Sequence, residues 1–131
     1  MTGEKGFTLI EIIAVLIILG ILASIAVPRY IDVASQAKIS AANSEVAEMK
    51  SSMNLAYAKL FMSNGVAPTT GTAVLTAAGF TDATAANVGT APDIWNVTLT
   101  GSGTNVQIRV NSYGASSDTA YTATGTWNMP Q

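Results

Sequence analysis

The chain has 131 residues, of which 49% are hydrophobic and only 11% are charged, and its formal net charge is −2. Cysteine and histidine are both absent, which excludes thiol nucleophiles, imidazole bases, Cys/His zinc sites and disulfides. The sequence has no basic cluster for nucleic acid or anionic lipid, no convergent carboxylate pair and no phosphate-binding glycine loop. We therefore predict neither an enzyme nor a bound cofactor or metal, and no nucleic-acid partner.

The first element in chain order is an apolar segment near the amino terminus. Residues 12–27 carry no charge, and Pro28 follows them. From Phe7 to Pro28 the length matches one bilayer crossing, which takes about 20 helical residues. Glu11 interrupts this pattern, because a carboxylate in a spanning helix costs about 2.5–3.5 kcal/mol and usually has a partner. Three interpretations are open. The segment is a secretory signal peptide, a plain membrane anchor with Glu11 at the membrane interface, or a segment in which the Glu11 carboxylate has a specific partner.

Residues 6–11 read Gly-Phe-Thr-Leu-Ile-Glu, and the apolar run follows them directly. This pattern closely resembles the class III signal of type IV pilins. The resemblance implies that residues 1–6 are a leader peptide, which a prepilin peptidase removes by cleavage between Gly6 and Phe7. It also implies that Phe7 is then N-methylated.

In the mature numbering that this cleavage creates, Glu11 is the fifth residue, where the pilin family has its glutamate. The resemblance implies that Glu11 pairs with the Phe7 amine of a neighbouring subunit. The pairing is physically reasonable, because a methylated amine keeps its positive charge and opposite charges attract strongly where the dielectric constant is low. Gly20 and Pro28 stand where pilins often carry residues that loosen the helix.

The function that the resemblance implies is that of a structural subunit in a homo-oligomeric helical filament. The precursor would wait in the bacterial inner membrane and would be assembled, by an ATPase and a platform protein complex, into an extracellular pilus. Motility, adhesion, DNA uptake and secretion all use the same amino-terminal chemistry. A pseudopilin of a type II secretion system and a minor pilin are the near alternatives, and a membrane-anchored binding domain that never polymerises is the alternative from another class.

The next region carries apolar residues every three or four positions, which is one face of a helix. They are Ile39, Ala42, Val46, Met49, Met53, Tyr57 and Leu60. The spacing predicts an amphipathic half over residues 29–63, continuous with the hydrophobic half over residues 7–28. We expect this stripe to be core, and we expect the helix to end near Asn64 and Gly65, a good carboxyl-terminal cap.

The remainder predicts a small sheet. Residues 64–93 are Ala-, Thr- and Gly-rich and are expected to be a connecting loop region with a short helical segment near residues 73–79. Within residues 94–131, apolar residues alternate with polar ones in three runs, and a Gly-rich loop at residues 101–105 separates the first two. We therefore predict an α+β fold, a long amino-terminal helix packed on an antiparallel sheet of about three strands, as in pilins.

Other features have ordinary interpretations. Asp82, Asp93 and Asp118 are expected to be solvated loop carboxylates rather than a calcium site, because they form no tight acidic motif. The Asn96 glycosylation sequon lies in a predicted strand. Trp95 and Trp127 are expected to lie in the core or in a subunit contact.

Overall fold

The computed structural model describes residues 6–114 and 118–130. Helix α1 spans Leu9–Asn64 and helix α2 spans Gly71–Ala77, and four strands follow. The strands are β1 (Ala85–Thr90), β2 (Asp93–Ser102), β3 (Asn105–Tyr113) and β4 (Ala123–Asn128). The chain divides into two units, Met1–Gln36 and Ala37–Gln131, with the boundary inside α1.

The long helix and its carboxyl-terminal cap are as predicted. Gly65 has a φ of +68°, and its N–H donates to the carbonyl of Phe61 at 2.9 Å. This left-handed glycine cap satisfies a carbonyl that the end of the helix would leave without a partner.

The second half of α1 forms one wall of the core. Its buried apolar residues follow one another at spacings of three and four, and they are Ala42, Val46, Met49, Met53 and Ala56. The predicted stripe is confirmed here, except that Ile39 remains 45% exposed. Tyr57 and Leu60 are half-buried against the same cluster.

Trp127 on β4 covers one end of this core. It is buried, its indole Nε1 donates to Asn54 Oδ1 at 2.7 Å, and its ring centroid lies 6.3 Å from that of Tyr57. The polar end of the indole is thus satisfied while its rings fill the space between helix and sheet.

The short helix α2 closes another side of the core through Val74 and Leu75, both buried. Thr70 caps its first turn, because its side-chain oxygen accepts from the N–H of Ala73. A Cβ at Gly71 would overlap the backbone carbonyl of Asn105, so only glycine lets α2 approach the β2–β3 hairpin this closely.

The sheet is fully antiparallel, in the order β1-β2-β3-β4. It has four strands rather than the expected three or so. The additional strand is β1, and it lies, together with α2, inside the region predicted as a connecting loop. Ala86 and Val88 are the half-buried apolar residues of β1, and such a short edge strand of small residues gives only a weak alternating signal.

Candidate functional site

The start of α1 is organised around Glu11. Its Oε2 accepts from both the backbone N–H and the hydroxyl of Thr8, each at 3.4 Å, and the Glu11 N–H donates to the Thr8 carbonyl at 3.1 Å. Thr8 is the residue before the helix and Glu11 is three positions later, which is the spacing of a capping box. The Thr-x-x-Glu pattern indicates this second role of Glu11, as part of the helix cap.

The apolar run that follows is exposed along its whole length in the part of the chain that the structure describes. Every residue from Gly6 to Ala37 is exposed, and Phe7 and Leu9 expose 78% and 77% of their surface. Helix α1 is long enough and apolar enough in this part to cross a membrane, and none of that stretch is buried. By length and composition alone, a signal sequence would satisfy the same criterion.

Gly20 and Pro28 lie within the uninterrupted helix. Pro28 has no N–H, so the carbonyl of Ser24 lacks its usual helical donor. The Ser24 hydroxyl donates to the carbonyl of Ile21 at 2.7 Å, a bond that competes with regular helix geometry. A Cβ at Gly20 would meet no described atom within 4 Å, so no packing contact among the described residues requires glycine there.

Glu45 is the main polar residue of the core. It is not part of the predicted apolar stripe, yet it is only 6% exposed, and its Oε1 is buried without a hydrogen-bond partner among the described residues. Burial raises the pKa of this carboxyl above its ordinary value, and the negative charge of Glu48 raises the pKa further.

The three aspartates that could have formed a cation site each have a separate hydrogen-bond partner. Asp82 accepts from the N–H of Gly101 at 2.7 Å, and Asp93 accepts from the hydroxyl of Tyr113. Asp118 pairs with Lys38 at 2.9 Å, and their hydrogen bond lowers the pKa of Asp118 and raises the pKa of Lys38. Across residues 6–114 and 118–130, no three acidic side chains converge on a metal position.

The sheet face turned away from α1, which we call the outer sheet face, carries polar residues on three neighbouring strands. The pairing register aligns them in two rows across β2, β3 and β4. The rows are Thr98, Arg109 and Thr124, then Thr100, Gln107 and Thr126. Together they line a shallow hollow of about 610 Å³.

An amide network borders this hollow. Asn111 Nδ2 donates to Thr98 Oγ1 at 2.8 Å and to Asn96 Oδ1 at 3.0 Å, and Asn96 Nδ2 donates to Asn87 Oδ1 at 3.0 Å. The sequon residue Asn96 is therefore tied into the sheet surface by its own side chain.

Comparison with known proteins bears on the amino-terminal region. Residues 1–27 match the family model of the prokaryotic N-terminal methylation motif. This matched range contains Gly6, Phe7, Glu11 and Gly20, and Pro28 follows it directly. Residues 1–5 of the predicted leader lie outside the described residues, although the sequence match includes them.

Curated relatives match over a longer stretch. A fimbrial protein of Pseudomonas aeruginosa is 48% identical over 50 residues, which are 38% of this chain and 32% of the relative. A type IV major alpha-pilin of Moraxella bovis is 43% identical over 56 residues, 43% of this chain and 35% of the relative. The major component of the narrow type IV pilus of Thermus thermophilus is 44% identical over 52 residues, 40% of this chain and 45% of the relative.

The chain thus spans less than half the length of each of these relatives. No solved structure matches it.

Proposed function

We propose that this chain, a member of the type IV pilin family through its amino-terminal region, is a structural subunit of a type IV pilus filament. The observation that carries the proposal is the methylation motif over residues 1–27, followed by an apolar helix that the chain itself leaves uncovered. A subunit of this kind is structural, and an enzymatic role has no support from the family matches.

The proposed processing step is cleavage between Gly6 and Phe7, followed by N-methylation of Phe7. Cleavage creates a positive amino group four residues before Glu11. Both groups would be costly to bury alone, and pairing them between neighbouring subunits removes that cost and fixes the axial position of one subunit against the next. Glu11 is exposed, so its carboxylate is reachable by another copy.

The proposed assembly step moves the apolar half of α1 from lipid into a bundle of identical helices. The exposed apolar side chains of this segment need either lipid or other helices around them, because leaving them in water would expose the apolar surface of some twenty residues. The prepilin peptidase, an assembly ATPase and a platform protein complex are the partners that this route requires. The inner membrane would hold the precursor, and the cell surface would carry the filament.

Within the proposed filament, Gly20 and Pro28 would loosen the helix. The Ser24 carbonyl that Pro28 leaves without a donor is a local weak point in the helical hydrogen bonding. Such a point would let the helix bend on transfer from the membrane into the bundle.

The test is mass spectrometry of the amino-terminal peptide from filaments sheared off the cell surface. We expect an abundant chain that begins with N-methylated Phe7. The same processed chain found only in membranes would favour a pseudopilin or a minor pilin. A chain that begins at Met1, or that is cut within the apolar run, would overturn the processing step and the filament role with it.

A further inference from the structure

The outer sheet face holds an isolated positive charge. Arg109 is the last of the six basic residues in the chain, and no other lysine or arginine follows Lys59. It is exposed at the middle strand of the three that line the hollow. Among the described residues, no carboxylate lies within ion-pair distance of its guanidinium.

The hydroxyl groups around Arg109 add further donors. Thr98 Oγ1 already accepts a hydrogen bond from Asn111, which leaves its hydroxyl hydrogen available to donate. Thr124 faces Thr98 across Arg109 in the same row. A guanidinium between two hydroxyls suits a planar carboxylate, which can accept from the guanidinium fork and from a hydroxyl at the same time.

We propose that the outer sheet face binds an acidic polysaccharide, with a uronate carboxylate on Arg109 and sugar hydroxyls against the threonine and amide rows. The hollow spans three strands and is open to solvent, with a volume of about 610 Å³, so a chain can lie across it. This inference rests on the proposed function, because it uses a filament that repeats the site.

The neutral polar side chains around Arg109 favour a polysaccharide over a nucleic acid. A polyuronate and a nucleic acid both carry a negative charge on each monomer, so the single cation of the outer sheet face does not separate them. Every sugar of a polyuronate also carries hydroxyl groups, and these suit the threonine, glutamine and asparagine side chains beside the arginine, whereas nucleic-acid binding depends mainly on several phosphate contacts by lysine or arginine.

A single site of this kind binds weakly, since one exposed ion pair contributes little in water. A filament presents the site at every subunit, so a polymer that engages several copies gains avidity without new contacts. Binding should therefore depend on polymer length and should weaken as salt is added.

The experiment is co-sedimentation of purified filaments with fluorescent polygalacturonate at low ionic strength. We expect wild-type filaments to carry the polymer down and Arg109→Gln filaments to bind at least about tenfold more weakly, because the loss at each subunit multiplies along the chain. Arg109→Lys should retain part of the binding, since it keeps the charge but loses the fork.

The matched control is Lys59→Gln, which removes the same charge from another exposed position. It should bind like wild type. Equal binding by wild type and Arg109→Gln, equal losses in both variants, or equal binding of neutral dextran would each overturn the proposal. Duplex DNA that binds Arg109 as tightly as polygalacturonate would overturn it in favour of a phosphate polymer.

Electron microscopy of the same samples separates this inference from the proposed function. If no filaments form, the detergent-solubilised chain is coupled to beads at high density and assayed with the same polymer and variants. Binding there that depends on Arg109 would support the site while the filament proposal fails. Binding on beads but not on filaments would overturn the proposal, because a neighbouring subunit would then cover the outer sheet face.

Discussion

The two units of this molecule differ in whether their apolar side chains are exposed or buried. In the unit that ends at Gln36 every described residue is exposed, while the unit that begins at Ala37 encloses a core between the second half of α1, α2 and four strands. The difference lies in periodicity, because a helix that is apolar on all sides has no face to turn toward water, whereas a helix with one apolar stripe does.

Substitutions in the two units should therefore affect different properties of the protein. A change in the first unit has little within the chain to disturb, so its effect should appear in processing and assembly. A change in the second unit should appear in the folding of the head, residues 37–131. Trp95 and Trp127, the two tryptophans of the sequence, both lie in the head, so tryptophan fluorescence reports its folding alone.

The largest effect is expected for Glu11→Ala, which should abolish filaments while leaving the head folded. The substitution removes the carboxylate that would pair with the Phe7 amine, and it leaves a buried positive charge without a partner. The measurement is electron microscopy of the sheared fraction, with tryptophan fluorescence of the solubilised chain as the check on the head.

Two further variants separate pairing from helix capping. Glu11→Gln keeps a side chain that can accept from Thr8 in a capping box, but it has no charge. We expect it to fail as Glu11→Ala does, whereas Thr8→Val should still assemble. Filaments from Glu11→Gln would mean that Glu11 matters as a cap and not as a charge.

The next effect compares two glycines. Gly71→Ala should destabilise the head by at least about 1 kcal/mol, since its methyl group would overlap the Asn105 carbonyl and force α2 away from the sheet. Gly20→Ala should leave the unfolding of the head unchanged, because no described atom lies near the new methyl group. Urea unfolding in detergent, followed by tryptophan fluorescence, measures both.

The two glycine variants also test the division into units. If Gly20→Ala shifts the urea midpoint of the head as much as Gly71→Ala does, the two units are not energetically separate. A filament defect in Gly20→Ala with normal unfolding would instead place its role in contacts between subunits or in helix bending.

The smallest effect is expected at the buried carboxyl. Glu45→Met should stabilise the head at pH 7 by about 1 kcal/mol, because it removes a buried oxygen that has no hydrogen-bond partner among the described residues. The pKa of Glu45 is raised in the folded state, so its contribution is most favourable below its unfolded pKa and is lost as the pH rises through the folded value.

The gain from Glu45→Met should therefore shrink as the pH is lowered toward the acid range. Glu48→Met is the matched control, since Glu48 is an exposed glutamate one turn away on the same helix. A gain at Glu45 that does not change with pH, or one that Glu48→Met equals, would contradict a role for the buried charge.

Much of the fold follows from local patterns. The α1 stripe from Ala42 to Met53 and the alternation in β2 and β3 are periodic enough to identify without a structure. Strand β1 was missed because it pairs only through β2, and its alanines and glycine carry little strand preference. Glu45 has the spacing of the apolar stripe, but its charged side chain is typical of a surface residue. A stripe predicted from apolar residues therefore does not include it.

The candidate sites also differ in how far the sequence alone could identify them. The amino-terminal motif is contiguous, so Gly6, Phe7 and Glu11 could be identified by reading along the chain, and their roles stay predictions. The hollow around Arg109 could not be identified, because it depends on the register that aligns Thr98 and Thr124 on either side of it. Register across strands is a property of the whole sheet and not of any one segment.

The contacts that join the sheet to the second half of α1 are spread along the helix axis. They run from the Lys38–Asp118 ion pair to the hydrogen bond from the Tyr57 hydroxyl to the Pro130 carbonyl. At 1.5 Å per residue this is about 28 Å of helix. A force pulling along that helix would load all of these attachments together in shear, rather than opening them one at a time. A filament made of such subunits would hold its heads in place under tension until a whole head unfolds.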